Sequence, residues 1–346
     1  MNSEIFEKII RFLNTDTENQ GSYCMFSDKA YKPVKVSKDN FKEIKTANNK
    51  NKIAFIDGGN AEILSASNFS LQLIRLYYTI YEKNKRIKAE KFEFYLLINS
   101  LNDGGNIFYK TEIFPVNFDI ESFSFDSYDA TIKEGNNQIS ISKIGDVIRR
   151  FSEIKLALET AKDLEANDVI VLDGTLQANY TNEKNVLEML YNEAEERGII
   201  ITALSKTSTL FTETGGSYIA LLDGISPYKK WVYHPVAEIN SEKHKAELFI
   251  VKLDERSSYN LRFEAYKNVK FDIAGIVSGL SLNASDPVLP GYPYGMIEAD
   301  KFARITNEEK EALKMAFAVK AGKDWKKIAA FLNTRNLHEI LDKMGF

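Results

Sequence analysis

Apart from an opening helix, hydrophobic positions along the chain follow two periods in turn. They first come in short runs or alternate, the spacing of strands; after Ser140 stretches with apolar residues every three or four positions separate such runs, the spacing of helices. The clearest runs are Ile53-Ala54-Phe55-Ile56 and Val169-Ile170-Val171-Leu172, each followed by Asp-Gly. Uninterrupted and rich in β-branched residues, each predicts a strand buried on both faces and stopped by a turn. Asp57 and Asp173 then stand at the carboxyl ends of two central strands. Asp-Gly is also a common turn pair, and Ile219-Ala220-Leu221-Leu222-Asp223-Gly224 repeats the construction a third time.

The remaining elements follow in order. Ser3 to Asn14 predicts a helix capped by Ser3, with Glu4 and Glu7 near its first turn and Ile5, Phe6, Ile9, Ile10 and Leu13 as its apolar face. Residues 28–52 are polar and lysine-rich and read as a connector with one short strand at most. Past Asp57, strands are predicted at Glu62 to Ala66, Phe69 to Tyr81, Lys91 to Ile98 and Ile107 to Phe114, a mostly antiparallel meander. From Ser142 to Glu165, Ile144, Val147, Ile148, Phe151, Ile154, Leu158 and Ala161 mark a long helix leading into the Asp173 strand. A helix from Glu183 to Arg197 stops at Gly198, and Ile199 to Leu204 is the next strand, so the two strands pair in parallel through a right-handed crossover. Strands at Trp231 to Ile239, Ala246 to Leu253 and Tyr259 to Tyr266 precede helices at Asp272 to Leu280, near Glu298, at Asn307 to Val319 and at Trp325 to Asn333. This order predicts an α/β fold: a mixed central sheet flanked by helices, with additional strands and C-terminal helices.

Composition narrows the class. The 346 residues suffice for a large core, and 44% hydrophobic with 27% charged residues is globular usage. No run is long and apolar enough to span a membrane, and the first residues lack the pattern of a secretory signal. Cys24 is the only cysteine, which excludes an internal disulfide and multi-cysteine metal sites and fits a cytoplasmic location. Lys and Arg total 45 against 49 Asp and Glu, a net charge of −4. That argues mildly against a nucleic-acid protein, a class often basic overall, but does not exclude an enzyme that confines its positive charge to one groove.

A third acid on the long helix can reach Asp57 and Asp173. Glu153 borders the stripe of Ile154, Ala157, Leu158 and Ala161 and lies about 9 Å nearer the helix start than Glu159, at roughly 1.5 Å per residue. Glu159 instead has Lys155, Lys162 and Asp163 at three- and four-residue spacing, a solvated cluster. Glu153 is therefore preferred, with Glu159 as the alternative. An Asp, Glu, Asp set on a first strand, a first helix and the next parallel strand resembles the ribonuclease H-like nuclease arrangement, and such oxygen ligands suit Mg²⁺ or Mn²⁺. His234, His244 and His338 lack metal-ligand spacing. No Gly-x-x-x-x-Gly-Lys-Ser/Thr loop occurs, so movement along DNA needs a separate ATPase.

Six stretches in order resemble the motifs of the NurA nuclease family: Ile53 to Gly59 (IAFIDGG), Ile148 to Glu153 (IRRFSE), Val169 to Leu176 (VIVLDGTL), Ala203 to Ser208 (ALSKTS), Leu261 to Glu264 (LRFE) and Gly291 to Ile305 (GYPYGMIEADKFARI). The resemblance implies a ribonuclease H-like nuclease domain over residues 51–346, preceded by a helix and connector over 1–50. It implies Mn²⁺- or Mg²⁺-dependent DNA cleavage with two ions, a homodimer, and DNA-end processing beside a HerA-type hexameric ATPase. Carried over by position, Asp57, Glu153 and Asp173 become metal ligands, Asp300 a further acidic site residue, and Lys206 a contact to the substrate phosphate. Apart from the resemblance, the aromatic character of Tyr292 and Tyr294 makes them candidate stacking contacts to an unpaired base. Gly59 stands where relatives place a small hydroxyl residue, and Gly295 where a second proline is common, which predicts a more flexible loop.

Each assignment has a plainer reading. Lys206, with Thr207 and Ser208, is a solvated lysine after a strand; Tyr292 and Tyr294 pack a loop beside Pro293; Asp300 decorates a helix start. Arg149 and Arg150 lie on the helix surface or approach DNA, and Arg262 and Glu264 pair with each other along one strand face. Two other functions stay open: a non-catalytic DNA-binding or ATPase-docking scaffold of the same fold, and a nuclease acting on RNA.

Overall fold

The computed structural model describes residues 3–16, 21–45, 51–133, 135–206 and 209–332. After α1 (Ser3–Asp16) come β1 (Tyr31–Pro33) and β2 (Phe41–Glu43), then four long or paired strands, β3 (Ile53–Ser65), β4 (Phe69–Glu82), β5 (Lys85–Asp103) and β6 (Asn106–Pro115), and the short β7 (Ser124–Asp126). The helical half begins with α2 (Lys143–Ala161), β8 (Val169–Asp173), α3 (Glu183–Arg197), β9 (Ile200–Ser205) and α4 (Tyr218–Ile225). It continues with β10 (Trp231–Tyr233), β11 (Ala237–Ile239), β12 (Ala246–Lys252), β13 (Leu261–Tyr266) and four helices, α5 (Ile273–Asn283), α6 (Tyr294–Ala303), α7 (Asn307–Ala321) and α8 (Trp325–Leu332).

One mixed sheet runs β2-β10-β12-β13-β9-β8-β3-β4-β5-β6-β7. At its centre β3, β4 and β5 form an antiparallel meander, and β8 and β9 extend it in parallel through α2 and α3. That is the expected ribonuclease H-like arrangement. Ile53, Ala54, Phe55, Ile56 and Val169 to Leu172 are all buried, as expected of strands covered on both faces. Gly198, at φ +68°, ends α3 in the left-handed conformation that glycine takes without penalty.

Several expectations change. Glu62 to Ala66 is not a separate strand; Ile53–Ser65 runs as one, with a register shift between Glu62 and Leu64 that absorbs the break in its alternation. Trp231 to Ile239 splits into β10 and β11 in different sheets, because Pro235 lacks the N–H a continuous ladder needs. The third Asp-Gly copy is helical: Ser217 accepts the Ala220 N–H and caps α4, which contains Asp223 and Gly224. Residues 31–43 of the connector join the body, β1 pairing with β11 and β2 with β10. In α1, Ile5, Phe6, Ile9 and Ile10 are each about half exposed, at 48–55%, so its apolar stripe is not part of the core. Asn333 and His338 lie outside the described residues. No helix among the described residues is long and apolar enough to cross a membrane.

Candidate active site

Parallel pairing sets the first two acids side by side. Ile56 is in register with Leu172, so the next residues, Asp57 and Asp173, leave adjacent strands about 4.8 Å apart. Gly174, at φ +95°, turns the chain away directly afterwards, a conformation that disfavours any residue with a Cβ. The turn is pinned by the Ser205 hydroxyl donating to the Gly174 carbonyl at 2.6 Å and by the Leu176 N–H donating to Glu264 at 2.6 Å.

Lys206 follows β9 directly, and its ammonium stands among three carboxylates: 2.7 Å from Asp300, 3.1 Å from Asp173 and 3.7 Å from Asp57. Asp300 arrives on α6, which packs along β3 and β4. Two glycines allow that approach. A Cβ on Gly59 would overlap the Ala303 carbonyl oxygen, and one on Gly295 would overlap the Phe55 ring. Gly295 therefore serves close packing inside a helix and not the loop flexibility expected of it.

Glu153 approaches beneath β3. A Cβ on Gly58 would lie 2.8 Å from its carboxylate, so glycine next to Asp57 leaves the space this acid uses. Arg149 donates to Glu153 at 2.6 Å and to the Gly58 carbonyl at 3.1 Å. Arg150 lies 3.7 Å from the other Glu153 oxygen, donates to buried Glu183 at 2.9 Å, and spans the turn by donating to the carbonyls of Asp173 and Thr175 at 3.3 and 2.5 Å. Both arginines, read as surface or DNA-facing, are thus turned inward. Glu159 pairs with Lys162 and is 45% exposed, against 3% for the Glu153 side chain.

Burial and like charge act on these acids together. Desolvation, then the neighbouring Glu153 and Asp173, push the Asp57 carboxyl up to about 8, while Lys206 and the Gly58 N–H pull the other way. Burial also raises Glu153 against the pull of Arg149 and Arg150. For Lys206, burial opposes the charge, but Asp173, Asp300 and Asp57 hold its proton more firmly than usual. Tyr292 is 7% exposed and its ring lies 5.9 Å from the Lys206 ammonium. Its buried hydroxyl has no hydrogen-bond partner among the described residues, and burial followed by Asp173, Asp57 and Asp300 raises its pKa. Tyr294 is separated from this centre: it is exposed at the start of α6 and lines a groove on the opposite flank of the helix. Thr207 and Ser208 lie outside the described residues.

Glu264 does more than pair with Arg262 at 2.5 Å. It also meets His244 at 2.9 Å, and His244 meets Tyr31 at 2.7 Å, so a fully buried network reaches from the Asp173 turn to β1. Arg150, Glu183 and this histidine are supporting residues whose role spacing did not reveal. Arg150 interrupts an apolar stretch, which is a signal, but Glu183 and His244 lie in polar runs of the sequence that give none.

Among the described residues no three acidic, histidine or cysteine side chains form a ready-made metal cage. The reason is visible in the geometry: the Lys206 ammonium holds the position between Asp57, Asp173 and Asp300. The donors are all hard oxygens, they already converge on a cation, and the buried Tyr292 hydroxyl, without a partner among the described residues, lies within their electrostatic influence. The set fits a divalent ion of the magnesium and manganese type once the ammonium leaves.

No curated protein sequence matches the chain. The catalytic domain of human endonuclease V superposes with a TM-score of 0.37 at 9% identity, over 92% of this chain and 100% of that one. An Argonaute of Aquifex aeolicus gives 0.34 at 13% identity, over 75% of this chain and 30% of its own. Clostridium butyricum Argonaute, bound to a guide DNA and a target DNA, gives 0.31 at 11% identity, over 78% and 28%. The NurA domain matches residues 51–305, from the strand that bears Asp57 to the end of the helix that bears Asp300, and the chain belongs to the NurA family of nucleases.

Proposed function

We propose that the chain is a divalent-metal-dependent deoxyribonuclease that hydrolyses phosphodiester bonds in DNA-end processing. The observation that carries the reading is the convergence of carboxylates from β3, β8 and α6 on one ammonium, with Glu153 beside them. Asp57, Asp173, Glu153 and Asp300 would hold Mn²⁺ or Mg²⁺, in two sites. Such ions, when bound, offset charge on a scissile phosphate and acidify a water.

The chain's own groups do the rest. Lys206 exchanges its carboxylate contacts for a phosphate oxygen, which keeps its charge compensated throughout. The Tyr292 hydroxyl, buried and unpaired, donates to the same phosphate and gains the partner it lacks. Arg149 and Arg150 keep Glu153 and the Asp173 turn in place. The strand is delivered by a HerA-type hexameric ATPase, and two copies of the chain form the nuclease.

Labelled single- and double-stranded DNA, and RNA of the same sequence, incubated with the full chain and Mn²⁺ test this. Cleavage of DNA that falls about a hundredfold or more in Asp173→Asn is expected. Binding without cleavage in the wild type would overturn the enzyme in favour of a scaffold, and preference for RNA would overturn the substrate.

A further inference from the structure

The groove on the far flank of α6, about 750 Å³ in volume, has no part in the centre described above. Its wall includes Asn84, Arg86, Tyr294, Glu298, Lys301 and Phe302. From its geometry we infer that it binds one nucleotide unit of a single strand next to the scissile phosphate, an inference that rests on the nuclease reading.

The charge accounting favours a phosphate. The acids in the wall are already engaged. Glu298, with its side chain 4% exposed, accepts from the Tyr77 and Tyr81 hydroxyls at 2.8 and 2.6 Å and from Arg86 at 2.6 Å. Asp286 accepts the N–H groups of Val288 and Leu289 at 2.8 and 3.3 Å. The cations are not engaged to the same extent. Arg86 uses only Nη1 among the described residues and is 54% exposed, and Lys301 has no ion pair among them. Glu298 thus fixes the guanidinium at the groove while its other donors face outward.

The aromatic surface favours a base. Tyr294 and Phe302 are 47% and 45% exposed, and Phe302 is held from behind by stacking on Tyr77 at 5.0 Å. Rigid, half-exposed rings beside cations are the elements of single-strand recognition. Asn283 donates to the Asn84 oxygen at 2.8 Å, which leaves the Asn84 amide N–H groups for a base edge. On α6, Asp300 serves the acid centre while Tyr294, Glu298 and Phe302, on the far side of the helix, serve the groove, so the two are about one helix diameter apart, roughly 10 Å. A strand crossing α6 meets both.

Anisotropy of a labelled thymidine oligonucleotide with the full chain in EDTA reads binding without cleavage. Tyr294→Ala and Lys301→Glu, both at exposed positions, should each weaken single-strand binding about fivefold or more, with unfolding temperature unchanged. Thymidine monophosphate is the second arm: displacement of the oligonucleotide in the wild type and not in Tyr294→Ala supports the groove as a site for the nucleotide unit itself. Oligonucleotide affinity within about twofold of wild type in both variants would overturn the inference. So would a change of oligomeric state with affinity unaffected, which would make the groove a subunit contact. Tight binding by a wild type that does not cleave would remove the nuclease reading and leave the groove standing.

Discussion

Replacing Arg150 by methionine removes the cation that ties α2 to the Asp173 turn. Its side chain is 12% exposed, and its two acidic neighbours, Glu183 and Glu153, are 1% and 3% exposed. Removing one member of a buried pair costs about 3–5 kcal/mol because the remaining charge has nowhere to be solvated. Glu183 keeps the N–H groups of Asn179 and Tyr180, at 2.7 and 3.0 Å, which places the loss toward the lower end. At about 1.4 °C per kcal/mol for a chain of this size, the melting temperature should fall by roughly 4–7 °C, nearer the lower figure. Arg150→Lys keeps the charge but not the planar fork that reaches two carbonyls and a carboxylate together, so it should recover less than half of the loss. Circular dichroism melts of the metal-free chain at pH 7 measure both. A melting point for Arg150→Met within about 2 °C of wild type would refute the claim that this arginine clamps the turn.

Gly59→Ser should lower the melting temperature by several degrees, since overpacking costs about 1–3 kcal/mol; an unchanged melt would show that α6 does not need the close approach. For Asp57, whose folded pKa of about 8 lies above the ordinary carboxyl value, burial makes the ionised form costly. The metal-free protein should therefore lose stability as pH rises from about 4 to 8, and Asp57→Asn should be the more stable protein at pH 8 and equal to it at pH 4; parallel profiles would count against the shift. Glu264 behaves oppositely: despite burial, Arg262, His244 and the Leu176 N–H hold its carboxyl down to about 2. Its contribution is present above about pH 4.3 and is lost as pH falls toward 2, so Glu264→Gln should flatten that part of the acid-unfolding curve, and an unchanged curve would refute the assignment.

What could be read from the chain alone were the acids that end or border regular hydrophobic patterns. Asp57 and Asp173 follow buried runs, and Glu153 follows from a stripe with period near four, so local spacing carried their positions. The Asp223 copy shows the limit of that signal, because a capping serine six residues before the aspartate turns the same string into a helix. Lys206 and Asp300 meet only because β9 stands two strands from β3 in the sheet, with β8 between them, while α6 packs along β3 and β4, a tertiary fact with no local period. Gly59 and Gly295 make the same point. Their function is the absence of a side chain at a helix–strand contact, and no pattern within either segment announces which partner comes close.

Four cations compensate the acids of this centre: Arg149, Arg150 and Lys206 within the cluster and the largely exposed Arg304 beside Asp300 at 3.3 Å, and they are not equivalent. Arg149 also satisfies the Gly58 carbonyl, and Arg150 the carbonyls of Asp173 and Thr175. Withdrawing either leaves backbone acceptors unpaired as well as a charge, a double cost in a site this buried. The Lys206 ammonium touches only carboxylates, and its side chain is 36% exposed. Of the three cations within the cluster it is the one whose side chain makes no hydrogen bond to the backbone among the described residues, so its departure strands no backbone group. In the proposed nuclease its flexible four-carbon stem would let it leave the carboxylates and follow a phosphate. There the fixed arginines would shape the acids and the lysine would hold them until a divalent cation arrived; that division follows from which cation the backbone also needs.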